Sequence, residues 1–152
     1  MQTLIRTPDV AELPDLSELC LRSKAVWGYD ADFMAACRKE LTFNATELAS
    51  SRIAVAERAG TILGVAQVKL ISQEEADLTK LFVEPAALRG GVGKVLFAWA
   101  IDAARRLGAT RLVIEADPDA APFYRRLGAR DVGLAPSGSI PGRTLPKLVL
   151  DL

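Results

Sequence analysis

The sequence predicts an α+β protein with a mixed central sheet of six to seven strands, opened by an antiparallel meander and containing one parallel strand pair. Three observations carry that prediction. Apolar runs with strand character at 52–57, 62–71 and 76–83 follow one another across short turns, which is the order of a meander. The third of them leads through a glycine-rich loop into a helical pattern at 92–107 and then a buried strand at 111–116, a β-loop-α-β unit. Such a unit is expected to cross over right-handedly and leave its two strands parallel. Finally, apolar residues at helical spacing occupy most of 10–41, ahead of the meander.

Taken in order, residues 3–6 read as a first strand that ends at Thr7-Pro8-Asp9. Pro14 suits the first turn of a helix and not its middle, so the helix carrying Leu16, Leu19 and Cys20 is expected to start near Pro14 and Asp15. Trp27-Gly28-Tyr29-Asp30 interrupts it, and Asp30 is placed to cap a second helix over 31–41 with Phe33, Met34, Cys37 and Leu41 inward. Arg58-Ala59-Gly60-Thr61 is a hairpin turn, and Gln73-Glu74-Glu75 an acidic one. Gly108 stops the helix after the glycine loop; 119–127 is a short helix ended by Gly128. Strands at 130–135 and 145–152 complete the chain, joined by Pro136-Ser137-Gly138-Ser139-Ile140-Pro141-Gly142-Arg143. No repeat or linker divides it, so one domain over 1–152 is expected.

Composition narrows the chemistry. Lys and Arg together number 19, as do Asp and Glu, so no net field points to nucleic acid or an anionic membrane as a partner. Histidine is absent, which excludes Ser-His-Asp and Cys-His nucleophile systems and any His-ligated metal. Cys20 and Cys37 are too few for a zinc cage and read as reduced core thiols; no metal is expected. The N-terminus lacks a signal peptide's apolar segment and no apolar run reaches membrane-spanning length, so a cytoplasmic protein is the expectation.

The chemical signal is the stretch 81–94, Leu-Phe-Val-Glu-Pro-Ala-Ala-Leu-Arg-Gly-Gly-Val-Gly-Lys. Glycines between a strand and a helix let backbone N–H groups converge on an anion. A Walker A loop would need glycine at Leu88 and Ser or Thr at Val95; a dinucleotide fingerprint would need glycine at Leu96. Both fail, and the missing Ser or Thr argues against a nucleotide hydrolase, which would need magnesium-dependent ATP turnover; a turn shaped only for helix packing is the plainer alternative. What does match is V-x-P-x-x-[Q/R]-x-x-G-x-G/A ahead of a helix, through Val83, Pro85, Gly91 and Gly93, with Leu88 at the usual Gln/Arg position and Arg89 one place later. In this the chain resembles the GCN5-related N-acetyltransferase (GNAT) family. A second block, Asp117-Pro118-Asp119-Ala120-Ala121-Pro122-Phe123-Tyr124-Arg125-Arg126-Leu127-Gly128-Ala129, is similar to the family's N-x-x-A-x-x-F-Y-x-x-x-G-F segment, with Asp117 where Asn is common.

The resemblance implies an α/β/α layered GNAT fold whose parallel strands splay around acetyl-coenzyme A, with direct acetyl transfer to a primary amine of a small molecule or peptide. It implies a pyrophosphate held by Leu88, Arg89, Gly90, Gly91, Val92, Gly93 and Lys94, with Arg125 as a further phosphate ligand, and cofactor contacts from Asp117, Ala120 and Phe123. The thioester carbonyl, which gains charge during attack, would bond to backbone N–H groups of Leu81, Phe82 and Val83. Tyr124 is the implied acid for the leaving thiolate, being protonated at neutral pH. Asp77 aligns with the strand position of a catalytic carboxylate in some members; Glu74, Glu75, Glu84 or ordered water are alternatives. Strand alternation would set Asp77 on one face with Thr79, Leu81 and Val83. Trp27, Tyr29 and Arg143 fall in the segments that select the acceptor, as pocket wall or as a lid on the sheet, and Arg143 suits an acceptor carboxylate. A homodimer through the last strands and a coenzyme A-binding module without transfer activity both stay open.

Overall fold

A computed structural model describes residues 2–152. Twelve regular elements run in the order β1 (Leu4–Arg6), α1 (Leu13–Ala25), α2 (Ala31–Cys37), α3 (Ala45–Ser50), β2 (Arg52–Arg58), β3 (Thr61–Leu70), β4 (Glu75–Val83), α4 (Val92–Arg106), β5 (Arg111–Glu115), α5 (Ala121–Arg126), β6 (Arg130–Pro136) and β7 (Thr144–Asp151). All seven strands join one sheet in the order β1-β2-β3-β4-β5-β7-β6. Only β4 and β5 are parallel; every other neighbouring pair is antiparallel. The expected meander is β2-β3-β4, closed at its first turn by Ala59 and Gly60, both at positive φ as a two-residue hairpin of this hand requires.

The helices cover both faces. Leu16, Leu19 and Cys20 of α1, with Cys37, Leu41 and Phe43, pack on Ile53, Val55 and Val65. On the opposite face Phe97, Ala100 and Ala104 of α4, with Ala121 and Tyr124 of α5, pack on Leu78, Leu112, Ile114 and Leu148. Each fully buried Leu or Phe in these layers contributes about 1.5–3 kcal/mol of transfer free energy. The first part of α4 lies close to β3 because residue 64 is glycine: a Cβ there would stand 2.8 Å from the Leu96 side chain, 3.0 Å from Val92 and 3.1 Å from the Phe82 carbonyl oxygen.

Helix starts follow the caps read from sequence, and lengths differ. Pro14 sits in the first turn of α1 behind a one-turn 3-10 segment at Val10–Glu12. Asp30 accepts the Phe33 N–H, as an N-cap does, but α2 ends at Cys37 instead of Leu41. The chain then turns into the short α3, which the sequence reading missed; Asn44 caps it by accepting the Glu47 N–H. Ser17 ties that connection down from within, accepting the Phe43 N–H at 2.9 Å and donating to the Leu13 carbonyl at 3.0 Å.

Candidate active site

β4 and β5 pair only at their N-terminal ends, where Glu75, Ala76 and Asp77 face Arg111, Leu112 and Val113. The register of β4 on β3 slips by one residue between Gln67 and Val68, so Thr79 is an extra residue in β4. Beyond this bulge β4 parts from β5. The gap is a cavity of about 730 Å³ bounded by the second half of β4, the end of β5, the first turn of α4, α5, the α1–α2 break and the β6–β7 loop.

The bulge corrects one expectation. Ala76 and Leu78 face α4, and so do Leu81 and Val83, because the extra residue resets the alternation between them. Asp77 therefore shares the opposite face with Lys80 and Phe82, not with Leu81 and Val83. It is also off the cavity wall. Thr79 lines the cavity and donates its hydroxyl to Asp77 at 3.1 Å, so the carboxyl stands one hydrogen bond behind. Burial pushes the Asp77 carboxyl above its ordinary pKa; the Thr79 hydrogen bond opposes this and the charge of Glu115 adds to it.

The other acidic alternatives are engaged elsewhere. Glu74 and Glu75 both pair with Arg111, each at 3.3 Å, at the closed end of the strand pair. Glu84 makes a two-pronged pair with Arg22 of α1, at 2.9 and 2.7 Å. Glu115, which sequence reasoning passed over, lines the cavity on the Asp77 face, and no ion pair or side-chain hydrogen bond to it occurs among the described residues.

The glycine loop becomes a one-turn 3-10 segment at Pro85–Ala87 and then the N-terminus of α4, capped by Gly91 at φ 82°. That backbone conformation is the physical reason for glycine at 91. Arg89 also has positive φ, 66°. At Gly93 packing makes no such demand: a Cβ would meet Phe123 at 3.4 Å and Val83 at 3.7 Å, ordinary contact distances. A side chain there would project from the wall of the cavity, which argues against a turn shaped only for packing. The first N–H groups of α4 have no intrahelical partners, as at any helix start, and with the Lys94 side chain they form a cationic end to the cavity.

Leu81, Phe82, Val83, Leu88, Arg89, Val92 and Lys94 line the cavity, as do Asp117, Ala120, Phe123 and Tyr124. Gly90 does not; it is turned away, its carbonyl accepting from Arg58 at 2.7 Å. Nor does Arg125, which pairs with Asp131 at 2.8 and 2.9 Å, while its neighbour Arg126 takes a place on the wall. Tyr124 is only 6 % exposed, ringed by Phe97 and Phe123 at centroid distances of 5.5 and 5.1 Å. Its hydroxyl has no protein partner among the described residues, and burial alone pushes the phenol well above its ordinary pKa.

On the acceptor side Trp27 and Arg143 line the cavity and Tyr29 stands behind them. Tyr29 stacks on Phe33 at 3.9 Å, donates its hydroxyl to Asp117 at 2.6 Å and accepts from Arg143 at 2.7 Å. Lys24 reaches the same Asp117 oxygen at 3.4 Å and Arg143 at 3.6 Å, while the Asp119 N–H donates to the other oxygen. Burial would raise the Asp117 carboxyl, but the Tyr29 and Asp119 hydrogen bonds and the two cations outweigh it and hold it below the usual carboxylate range. Burial, reinforced by Asp117, pushes the Tyr29 phenol up to about 12.

Lys80 also went unread in the sequence. It is 5 % exposed, lines the cavity, and bonds Gln67 at 3.1 Å and Glu47 at 3.4 Å with its ammonium over the Phe43 ring. Its signal was present: Gln67 and Lys80 are polar residues inside apolar strand runs, and they face each other in the register. Among the described residues no helix is long and apolar enough to cross a membrane, and no group of three His, Cys, Asp or Glu is placed to hold a metal ion.

Solved structures share this architecture. A PaiA N-acetyltransferase from Thermoplasma acidophilum, in complex with coenzyme A, is 18% identical with a TM-score of 0.80, covering 100% of both chains. A GCN5-related N-acetyltransferase structure from Rhodopseudomonas palustris is 19% identical with a TM-score of 0.81, over 100% of this chain and 97% of that one. YncA of Salmonella typhimurium, with its cofactor acetyl-CoA, is 23% identical with a TM-score of 0.70, over 99% of this chain and 94% of that one. No curated protein matches the chain by sequence. The sheet order, with one splayed parallel pair beside a glycine-capped helix, is thus a GNAT fold. With the model of the acetyltransferase (GNAT) family matching residues 16–129, the chain belongs to that family.

Proposed function

We propose that the protein is an N-acetyltransferase that takes the acetyl group of acetyl-coenzyme A and passes it directly to a primary amine of a small molecule or peptide. The observation that carries this reading is the splay of β4 from β5 beyond Asp77 and Val113, which puts the N-terminus of α4 and the Tyr124 hydroxyl on the wall of one cavity. Acetyl-coenzyme A would supply a thioester carbonyl carbon open to attack and a thiolate leaving group. The cavity fits such a donor: Gly93 leaves room where a side chain would intrude, and the first turn of α4 offers N–H groups to a pyrophosphate, with Arg89 and Lys94 alongside.

The chain's own residues then have separable tasks. Alternation along β4 turns the Leu81 and Val83 N–H groups toward the gap that β5 has left; the Val83 N–H donates to the Ser23 hydroxyl at 3.4 Å, which leaves the Leu81 N–H as the donor for the carbonyl oxygen. Tyr124 holds the proton for the departing sulfur; its raised pKa keeps that proton on the phenol throughout the physiological range. An ammonium cannot attack, so the amine must shed a proton first. Glu115 and water take it, since Glu115 lines the cavity on the Asp77 face without an ion pair among the described residues and Asp77 is screened by Thr79.

The test is coenzyme A release from acetyl-coenzyme A against a broad panel of amines. Turnover on at least one class of amine, with none in its absence beyond slow hydrolysis, supports the reading. Tight coenzyme A binding without turnover on any amine replaces it with a binding module.

A further inference from the structure

We propose that the acceptor is an anionic amine, one that carries a carboxylate within reach of Lys24 and Arg143, as an amino acid or the C-terminal end of a short peptide does. This rests on the transferase reading and narrows its substrate. The observation behind it is a charge imbalance at the acceptor end of the cavity. Lys24 and Arg143 share a single carboxylate, Asp117. Their side chains are 14% and 19% exposed and that of Asp117 10%, so the excess positive charge is held in a half-buried place where solvent screens it poorly.

Asp117 is fully used. One oxygen takes the Asp119 N–H; the other takes the Tyr29 hydroxyl and both cations. The cations are not. Arg143 spends one nitrogen on Tyr29, and Lys24 has a single long contact at 3.4 Å. A guanidinium presents five N–H donors and an ammonium three. No buried side-chain nitrogen among the described residues lacks a partner, so the Arg143 nitrogens that make no hydrogen bond reach solvent, and both residues lie on the cavity wall. Their positions are fixed in advance. Arg143 lies 5.2 and 4.9 Å from the Tyr29 and Phe33 ring centroids and Lys24 5.5 and 5.9 Å, so the stacked pair orients both cations before any ligand arrives. Three other acids line the cavity: Glu40 is engaged with Ser139 across the β6–β7 loop, while Glu115 and Asp119 are exposed, so that solvent screens their charge.

A carboxylate entering here forms charge-assisted bonds with groups already desolvated and oriented, which is where such bonds are strongest. A neutral or cationic acceptor would leave that charge uncompensated. Selectivity for acids should therefore lie in acceptor binding and not in the chemical step.

The experiment offers the enzyme matched acceptors, each L-amino acid and dipeptide as the free acid and as its carboxamide, with coenzyme A release as readout. The expected result is a kcat/KM about tenfold or more higher for the acids, carried by KM. Lys24→Met and Arg143→Gln should each bring the two members of a pair to near parity, with the KM for acetyl-coenzyme A unchanged. A thermal midpoint for each variant separates loss of fold from loss of recognition, and either folded variant suffices. Equal or better use of the amides overturns the inference and leaves the transferase reading standing. So does a rise in KM for acetyl-coenzyme A in place of the acceptor, which would give these cations to the donor. Absence of turnover on every amine overturns the transferase reading, and this inference with it.

Discussion

Between Glu75 and Asp77, β4 is hydrogen-bonded to β5; past Thr79 the same two strands have parted and line a cavity. The closed end consumes its polar groups. Arg111 takes Glu74 and Glu75, and the Glu74 carbonyl accepts from the backbone N–H of both Thr110 and Arg111. The open end leaves groups uncommitted among the described residues: the Tyr124 hydroxyl, the Glu115 carboxylate and spare donors on Lys24 and Arg143. The difference shows how one strand serves both stability and chemistry. A single extra residue divides it, and what lies before the bulge holds the sheet while what lies after it faces a ligand.

Substitutions on either side should separate these duties. The largest effect is expected at the open end, where Tyr124→Phe removes an acid and no protein hydrogen bond. Acetyl transfer should fall by about 10²–10⁴-fold while the thermal midpoint barely moves. An unchanged rate of thiol release in the folded variant removes Tyr124 from the mechanism. At the closed end Leu112, which is fully buried on β5, should behave in the opposite way. Leu112→Ala is expected to cost about 2–5 kcal/mol in a urea unfolding curve, with activity per folded molecule largely kept. A loss of activity larger than the loss of folded protein would mean that the two ends are coupled.

Asp77 stands at the boundary, and its effect should be small. Its folded pKa lies above the unfolded value of about 3.9, so the stability it contributes is present at low pH and lost as pH rises through the folded pKa. Charged Asp77 is therefore a liability at neutral pH. Asp77→Asn should raise stability slightly at pH 7 and leave it little changed near pH 3, with an unchanged pH profile of kcat/KM because Thr79 separates it from the cavity. A displaced acid limb in that profile would restore Asp77 as the base, in place of Glu115. Asp117 has the reverse dependence: its depressed pKa gives stability that is present above the unfolded value and lost as pH falls through the folded one. Acidification should release the β6–β7 loop from the α1–α2 break before the sheet unfolds, read as early hydrogen exchange in residues 137–143.

The closed end and the glycine loop were legible in the sequence because their signals are local. Alternation marks the strands, helical spacing marks α4, and Gly91 is needed for a positive φ that few other residues adopt. The open end was less so. A bulge has no residue signature, so the alternation read through Thr79 put Asp77 on the wrong face. The Asp117 cluster gathers side chains 88 to 114 positions apart in the chain, which no periodicity records. α3 was missed because it spans only six residues and buries none of them. Arg125 and Arg126 could not be told apart as phosphate ligands without Asp131, which claims the first.

Gly64 lies on β3 opposite Val83, behind the cavity wall, and it sets how closely α4 can lie against the sheet. That helix carries the anion-facing turn at its own beginning, two contacts away at Val92 and Leu96. Gly64→Ala would push those side chains outward and tilt the whole turn, moving its N–H groups off their target without altering any of them. Coenzyme A affinity should fall while the amine preference holds. On the transferase reading this position would act as a tuning screw for donor affinity beneath the surface, and drift there would be mistaken for damage to the binding loop.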